Sequence, residues 1–152
     1  MYDLIYGQYP REVGNPVRKA CLNKKDLNSF IRENQAINDC FVSLYSSDLI
    51  IDKLFYDIDS PNLHNSYEIF KEFYSFLLKK NYTVIPVFSG KKGFHIYVLT
   101  QPCKLQSKDL RRIQLVLVKE CFGEIPDEID LHCLGDLKRL LLLHCWSSRD
   151  VP

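Results

Sequence analysis

Regular alternation of apolar and polar residues predicts a strand near the middle of the chain. Within residues 53–59, Leu54, Tyr56 and Ile58 lie on one face of the predicted strand, and Asp57 and Asp59 lie on the other. A two-residue period of this kind is typical of a strand with one buried face. Short apolar runs bounded by turn residues predict further strands at residues 41–45, 82–88, 94–99 and 128–131.

Apolar residues at three- and four-residue spacings predict helices. These helices cover residues 25–33, 67–80 and 107–123. The expected buried stripe of the last helix consists of Leu110, Ile113, Leu117 and Cys121.

A leucine-rich segment follows residue 133. We interpret it as a core helix, because Leu134, Leu137 and Leu141 recur at helical spacing.

From residue 53 the elements follow the order β-α-β-β-α-β, which is that of a ferredoxin-like (RRM-like) split βαβ sheet in an α+β fold. Residues 1–45 read as an appended N-terminal α/β lobe, and residues 46–152 as the RRM-like lobe of one single domain. Pro86 cannot donate a ladder hydrogen bond, so its strand is expected at the sheet edge.

This sheet predicts a meeting of polar side chains. Antiparallel neighbours bring the end of one strand beside the start of the next. We therefore expect four side chains to converge, namely Asp57, Asp59, His95 and Asp130.

Composition narrows the class of protein. The 152 residues are 46% hydrophobic and 26% charged, which fits one globular domain rather than a disordered chain. No membrane-spanning stretch and no signal peptide is recognisable, so an intracellular location is expected, cytoplasmic or in the nucleoid or nucleus. The six cysteines include no Cys-x-x-Cys pair, which favours reduced thiols over a disulfide framework.

The two aspartates of the central strand suggest a metal site. Carboxylates held this close repel each other unless cations lie between them, and they suit Mg²⁺ or Mn²⁺. With Asp130 they would provide for two ions about 4 Å apart, as phosphoryl-transfer enzymes use. The alternative is that residues 57–61 only end a strand and begin a turn.

Residues 89–95, Ser-Gly-Lys-Lys-Gly-Phe-His, combine main-chain N–H groups, two ammonium groups and an imidazole. Such a loop can hold a triphosphate. The alternative is an exposed hairpin turn whose lysines keep the sheet edge soluble.

Three segments together resemble the signature motifs of the archaeo-eukaryotic primase superfamily, which comprises primase small subunits and primase-polymerase catalytic domains. They are residues 54–59 (Leu-Phe-Tyr-Asp-Ile-Asp), residues 89–95 and residues 128–130 (Glu-Ile-Asp). Residues 10–14 and 41–45 resemble N-terminal segments of the same family.

The resemblance implies a primase-polymerase catalytic core. Such a core transfers nucleotides to a 3′-hydroxyl under direction of a template, with release of pyrophosphate, using two divalent ions. The metal ligands and catalytic residues implied are Asp57, Asp59 and Asp130. The nucleotide-binding residues implied are Ser89, Gly90, Lys92, His95, Arg11 and Arg139.

The implied partners are nucleoside triphosphates, a single-stranded DNA template and a primer. A large primase subunit, a helicase or further domains of a longer chain stay open as additional partners. Tyr97 could stack on a base. A path for template phosphates could be formed by Lys79, Lys80, Lys91, Lys92, Lys104, Lys108, Arg111 and Arg112, whose alternative is an ordinary solvated surface.

One position departs from the family pattern. Leu142 stands where a basic residue is expected, so Lys138, Arg139 or His144 takes its place or nucleotide binding is weakened. This departure favours the alternative function, a non-catalytic nucleotide- or nucleic-acid-binding module with a degenerate primase fold. A metal-dependent nuclease ranks last.

Zinc is not favoured as a cofactor. The available residues lack paired ligands two to four positions apart, as structural zinc sites usually require. They are Cys121, His132, Cys133, His144 and Cys145.

Overall fold

The computed structural model describes residues 2–14, 17–34, 39–90 and 92–143, and all structural statements refer to these residues. The fold is of the mixed α/β kind, with two antiparallel sheets. Two compact units divide the chain, one from residues 1–50 and 137–152, the other from Ile51–Asp136. None of the described helices is long and apolar enough to cross a membrane.

The unit of Ile51–Asp136 contains a three-stranded sheet and two helices. In chain order these are β4 (Ile50–Asp59), α3 (Leu63–Lys79), β5 (Val84–Phe88), β6 (Gly93–Lys104) and α4 (Ser107–Phe122). The strand order is β4-β6-β5, so the strand that contains Pro86 lies at the sheet edge, as expected.

The fourth strand of the predicted ferredoxin-like sheet is not formed. Residues 128–131 contribute one antiparallel bridge, in which Ile129 lies opposite Ile58 of β4. The Ile129 N–H donates to the Pro126 carbonyl (3.1 Å), and the Cys133 N–H donates back to Asp130 (3.2 Å). Because the chain turns on both sides of the bridge, the pairing cannot extend into a strand, and this prediction was wrong.

The other unit contains a four-stranded sheet of order β2-β1-β3-β7. Its elements are α1 (Tyr2–Ile5), β1 (Arg11–Gly14), β2 (Arg18–Cys21), α2 (Lys24–Asn34), β3 (Cys40–Ser43) and β7 (Leu140–Leu143).

The C-terminal leucines form a strand rather than the predicted core helix. Leu141 and Leu143 are buried, and β7 pairs antiparallel with β3, with Leu141 opposite Val42. A short apolar run fits a buried strand as well as a helix, and periodicity alone does not separate them. The positive φ of Gly135 (76°), in the turn before β7, is incompatible with a helix continuing through it.

The buried face of α4 also differs from the predicted stripe. Ile113 is 41% exposed, whereas Gln114 is fully buried. The Gln114 side-chain amide donates to the Phe55 carbonyl of β4 (2.7 Å) and accepts from the Gly135 N–H (2.8 Å). A buried amide with both ends satisfied replaces an apolar contact at this position, which hydrophobic periodicity does not reveal.

One face of β4 packs against both helices. The ring of Tyr56 lies 4.8 Å from that of Phe73 in α3, and its hydroxyl donates to the Gln114 carbonyl in α4 (3.2 Å). The opposite face of β4, which carries Asp57 and Asp59, is thereby held in place for other contacts.

Replacing Gln114 tests this arrangement. The Gln114→Ala variant leaves a buried carbonyl and a buried N–H without partners, so we expect the free energy of unfolding to fall by about 2–4 kcal/mol. Chemical denaturation measures it. Gln101→Ala, at an exposed position of β6, is the matched control and should change stability by less than about 0.5 kcal/mol. Equal losses in both variants would contradict the role of Gln114.

Candidate active site

Two main-chain hydrogen bonds bring a second carboxylate beside the end of β4. The Asp59 N–H donates to the Glu128 carbonyl (2.8 Å), and the Asp130 N–H donates to the Asp57 carbonyl (2.9 Å). Asp57 and Asp130, which are separated by more than seventy positions in the sequence, therefore lie next to each other.

His95 reaches the same site from β6. Its Nε2 lies 3.6 Å from Asp57 Oδ1, and the two side chains are 13% and 22% exposed. The ring of Phe55 packs edge-on against the imidazole, with 5.3 Å between ring centroids. The expected meeting of Asp57, His95 and Asp130 thus occurs in the structure.

Cys133, which the sequence offered only as a disfavoured zinc ligand, is a member of the site. Its thiol donates to Asp130 Oδ2 (3.0 Å) and lies 3.8 Å from Asp57 Oδ2. One ligand atom from each of Asp57, Asp130 and Cys133 lies within 4.8 Å of the others, a set that could hold a metal ion. The signal in the sequence was the three-residue spacing between Asp130 and Cys133, which a tight turn brings together.

The turn that carries Cys133 is anchored by one polar stripe of α4. Ser107 donates to the Gly135 carbonyl (2.6 Å), and Arg111 donates to the carbonyls of Leu131 and Leu134 (2.7 and 3.1 Å). Ser107, Arg111 and Gln114 recur at intervals of four and three residues, so they lie on the same helix face. Three side chains of a regular helix thereby hold an irregular segment.

Asp59 lies apart from the Asp57, Asp130 and Cys133 set. Its Oδ2 lies 3.8 Å from the ammonium group of Lys92, and both side chains are about half exposed. The expected convergence of all four side chains is therefore incomplete, because Asp59 faces the loop between β5 and β6.

That loop is held at both ends by hydrogen bonds. The Ser89 hydroxyl accepts from the Gly93 N–H (3.1 Å), and the Ser66 hydroxyl of α3 donates to the Lys92 carbonyl (2.9 Å). Gly90 has a φ of 89°, which favours glycine at this turn. Lys91 lies outside the described residues.

Arg11 is fully buried in the unit of residues 1–50 and 137–152. Its guanidinium donates to the carbonyls of Tyr6, Ser43 and Leu44 (3.2, 2.8 and 3.3 Å). These bonds give Arg11 a structural role, and its predicted nucleotide-binding role stays a prediction. The Arg139 carbonyl accepts from the Leu44 N–H (2.8 Å) in the same unit.

Two further sequence predictions concern base stacking by Tyr97 and a basic path for template phosphates. Tyr97 is only 3% exposed and packs against Phe55, so it has no free face for a base. Of the predicted basic path, Lys80 pairs with Glu120 (3.2 Å), and Arg111 is engaged in the turn described above.

The residues considered for zinc do not assemble as one set. Burial raises the pKa of the Cys121 thiol to about 11, and the nearby carboxylate of Glu72 adds to the rise. The His132 main-chain N–H donates to Asp130 Oδ1 (2.8 Å) and so orients that carboxylate. His144 and Cys145 lie outside the described residues.

A comparison with known proteins supports the fold. It is similar to that of the polymerase domain of Mycobacterium tuberculosis ligase D in complex with DNA, with a TM-score of 0.59 and 12% sequence identity. The similarity covers 87% of this chain and 56% of that chain. No protein-family model and no curated protein sequence matches the chain. At this identity the similarity shows a polymerase-domain-like fold and no more.

The contact between β6 and β4 gives a test of the site geometry. A Cβ at Gly93 would lie 2.5 Å from the Ile58 carbonyl oxygen, so Gly93→Ala must push the two strands apart. We expect a loss of about 1–3 kcal/mol in stability and a shifted His95 ring resonance in NMR spectra.

Gly123→Ala is the control for this variant. Gly123 has a positive φ (79°), unlike Gly93, and a Cβ there meets nothing within 4 Å. It should lose stability from backbone strain alone and leave the His95 resonance unchanged. An unshifted resonance in Gly93→Ala would contradict the close approach of the strands.

Proposed function

We propose that this chain is a nucleotidyltransferase of the primase-polymerase kind, which adds nucleotides to a 3′-hydroxyl and releases pyrophosphate. The observation that carries the proposal is the pair Asp57 and Asp130, set side by side by the bridge between residues 58 and 129. They stand in a fold similar to that of a polymerase domain.

The residues fit a divalent ion. Carboxylate oxygens of Asp57 and Asp130 lie close enough to bind the same cation, and oxygen ligands suit Mg²⁺ or Mn²⁺. Asp59, two positions along the strand, is the third proposed ligand. When bound, such ions neutralise phosphate charge and activate the attacking hydroxyl.

The loop of residues 89–95 is the proposed site for the triphosphate. Ser89, Lys92 and His95 supply a hydroxyl, an ammonium group and an imidazole. The Lys92 ammonium group already lies beside the Asp59 carboxylate. An incoming phosphate would therefore replace this carboxylate as the anionic partner of Lys92. The exposed ion pair that is lost contributes at most about 1 kcal/mol.

Nucleic acid is the proposed partner. The similar polymerase domain was determined with DNA, and a template strand and primer are what the proposed reaction requires. The family resemblance leaves both de novo priming and extension of a primer open. A large primase subunit, a helicase or further domains would serve to hold the template.

A specific observation favours a second function, a nucleotide-binding module without catalysis. Asp59 pairs with Lys92 and does not join Asp57 and Asp130, and Arg11 is buried. A site with fewer metal ligands and fewer accessible cationic side chains can bind a nucleotide and still fail to catalyse its transfer.

The proposed activity is tested by nucleotide incorporation. The assay supplies labelled ribo- or deoxyribonucleotides, primed or unprimed single-stranded DNA, and Mg²⁺ or Mn²⁺. Asp57→Asn keeps the shape of the side chain but removes its charge, and we expect at least a ~100-fold loss of incorporation.

Asp48→Asn serves as the control, because Asp48 is exposed in a turn of the other unit. It should keep the wild-type rate. If the wild type incorporates nothing but binds a triphosphate in the presence of metal, the binding module is the correct function and the proposal fails.

A further inference from the structure

The candidate site contains a thiol, which a Mg²⁺ site made of carboxylates does not need. Cys133 is 1% exposed, and its Sγ lies 3.0 Å from Asp130 Oδ2 and 3.8 Å from Asp57 Oδ2. Its position is set by the Cys133 N–H bond to the Asp130 carbonyl and by the anchoring of the turn to α4. The thiol is thus fixed against the two carboxylates that the proposed function assigns to metal binding.

The two oxygens of Asp57 face different neighbours. Oδ1 lies 3.6 Å from the imidazole of His95, whereas Oδ2 is the oxygen closest to Cys133. An ion held between Asp57 and Asp130 on the Oδ2 side therefore lies next to sulfur. Atoms within 4.8 Å of one another are at the separation expected for ligands of a single ion with bonds of about 2.0–2.3 Å.

We infer that Cys133 is a further ligand of this metal site, beside Asp57 and Asp130, and makes it bind a thiophilic divalent cation, of the Zn²⁺ and Co²⁺ class, more tightly than Mg²⁺. The inference rests on the metal site of the proposed function and adds its metal preference. On binding, the thiol releases its proton to solvent and sulfur forms a bond to the ion. Thiolate ligands favour Zn²⁺ and related ions, whereas Mg²⁺ prefers oxygen alone.

Cobalt gives a direct readout of this bond. A thiolate bound to Co²⁺ produces a sulfur-to-metal charge-transfer band in the near ultraviolet, which oxygen ligands do not. We expect the band when the wild-type chain is titrated with Co²⁺, and we expect Zn²⁺ to abolish it by displacement. The titration contains no nucleotide and no DNA.

Cys133→Ser is the decisive variant. It should lose the band and bind Zn²⁺ at least about tenfold more weakly, with Mg²⁺ binding changed less than about twofold. Cys103→Ser, at an exposed cysteine of β6, is the matched control and should retain the band. A wild-type chain without the band, or a band that persists in Cys133→Ser, would overturn the inference and leave the thiol as a hydrogen-bond donor to Asp130.

A second measurement covers the case in which Cys133→Ser does not fold. Cadmium NMR of the Cys103→Ser chain reports sulfur ligation through a downfield resonance without any change at Cys133. Asp130→Asn in the same background should weaken cadmium binding. An upfield, oxygen-only resonance would overturn the inference.

The metal preference and the proposed function fail separately. A charge-transfer band without nucleotide incorporation keeps Cys133 as a ligand and rejects the enzyme. Incorporation that depends on Asp57, in a chain without the band, keeps the enzyme and rejects the sulfur ligand.

Discussion

The candidate site depends on the short pairing of residues 57–59 with residues 128–130, which is too weak to be stable alone. Two main-chain hydrogen bonds join residues 57–59 to residues 128–130, and together they contribute about 1–3 kcal/mol. Ordering each residue of the following turn costs about 1–2 kcal/mol, so the bridge alone cannot fix the turn. The missing stabilisation comes from α4, whose Ser107, Arg111 and Gln114 bind four main-chain groups of residues 131–135. The position of Asp130 is therefore a property of a helix that does not itself enter the site.

The hydrogen bonds from α4 hold Asp130 beside Asp57 although two carboxylates repel each other when both are ionised. Two ionised carboxylates about 4 Å apart repel each other by about 4 kcal/mol at the effective dielectric constant of a protein surface. Asp57 has His95 beside one oxygen, and Asp130 accepts from the His132 N–H and from the Cys133 thiol. The His132 N–H and the Cys133 thiol are neutral donors, which reduce the repulsion less than a cation does. A site built in this way has more to gain from a bound cation than an isolated carboxylate has.

Much of the fold of the unit of Ile51–Asp136 could be predicted from periodicity. The alternation along β4, the edge position of the strand with Pro86 and the extent of α4 follow from residue patterns, whereas α3 begins at Leu63, before its predicted start at residue 67. The predicted convergence of four side chains rests on the antiparallel order of the strands, and Asp57, His95 and Asp130 meet in this way whereas Asp59 does not. Two kinds of feature were beyond this reasoning. The leucines of β7 satisfy a strand and a helix equally, and only their pairing with β3 decides. Gln114 is polar, so the sequence alone predicts an exposed side chain, and its burial depends on partners that lie far along the chain.

Cys133 shows why a motif describes a site incompletely. Motifs record residues at fixed spacing within a strand or loop, whereas Cys133 reaches the carboxylates through a turn whose shape is set by α4. In the proposed site the two aspartates favour a cation. The side chain delivered by the turn then determines which cation fits, so metal preference can change while the strands and the fold stay the same.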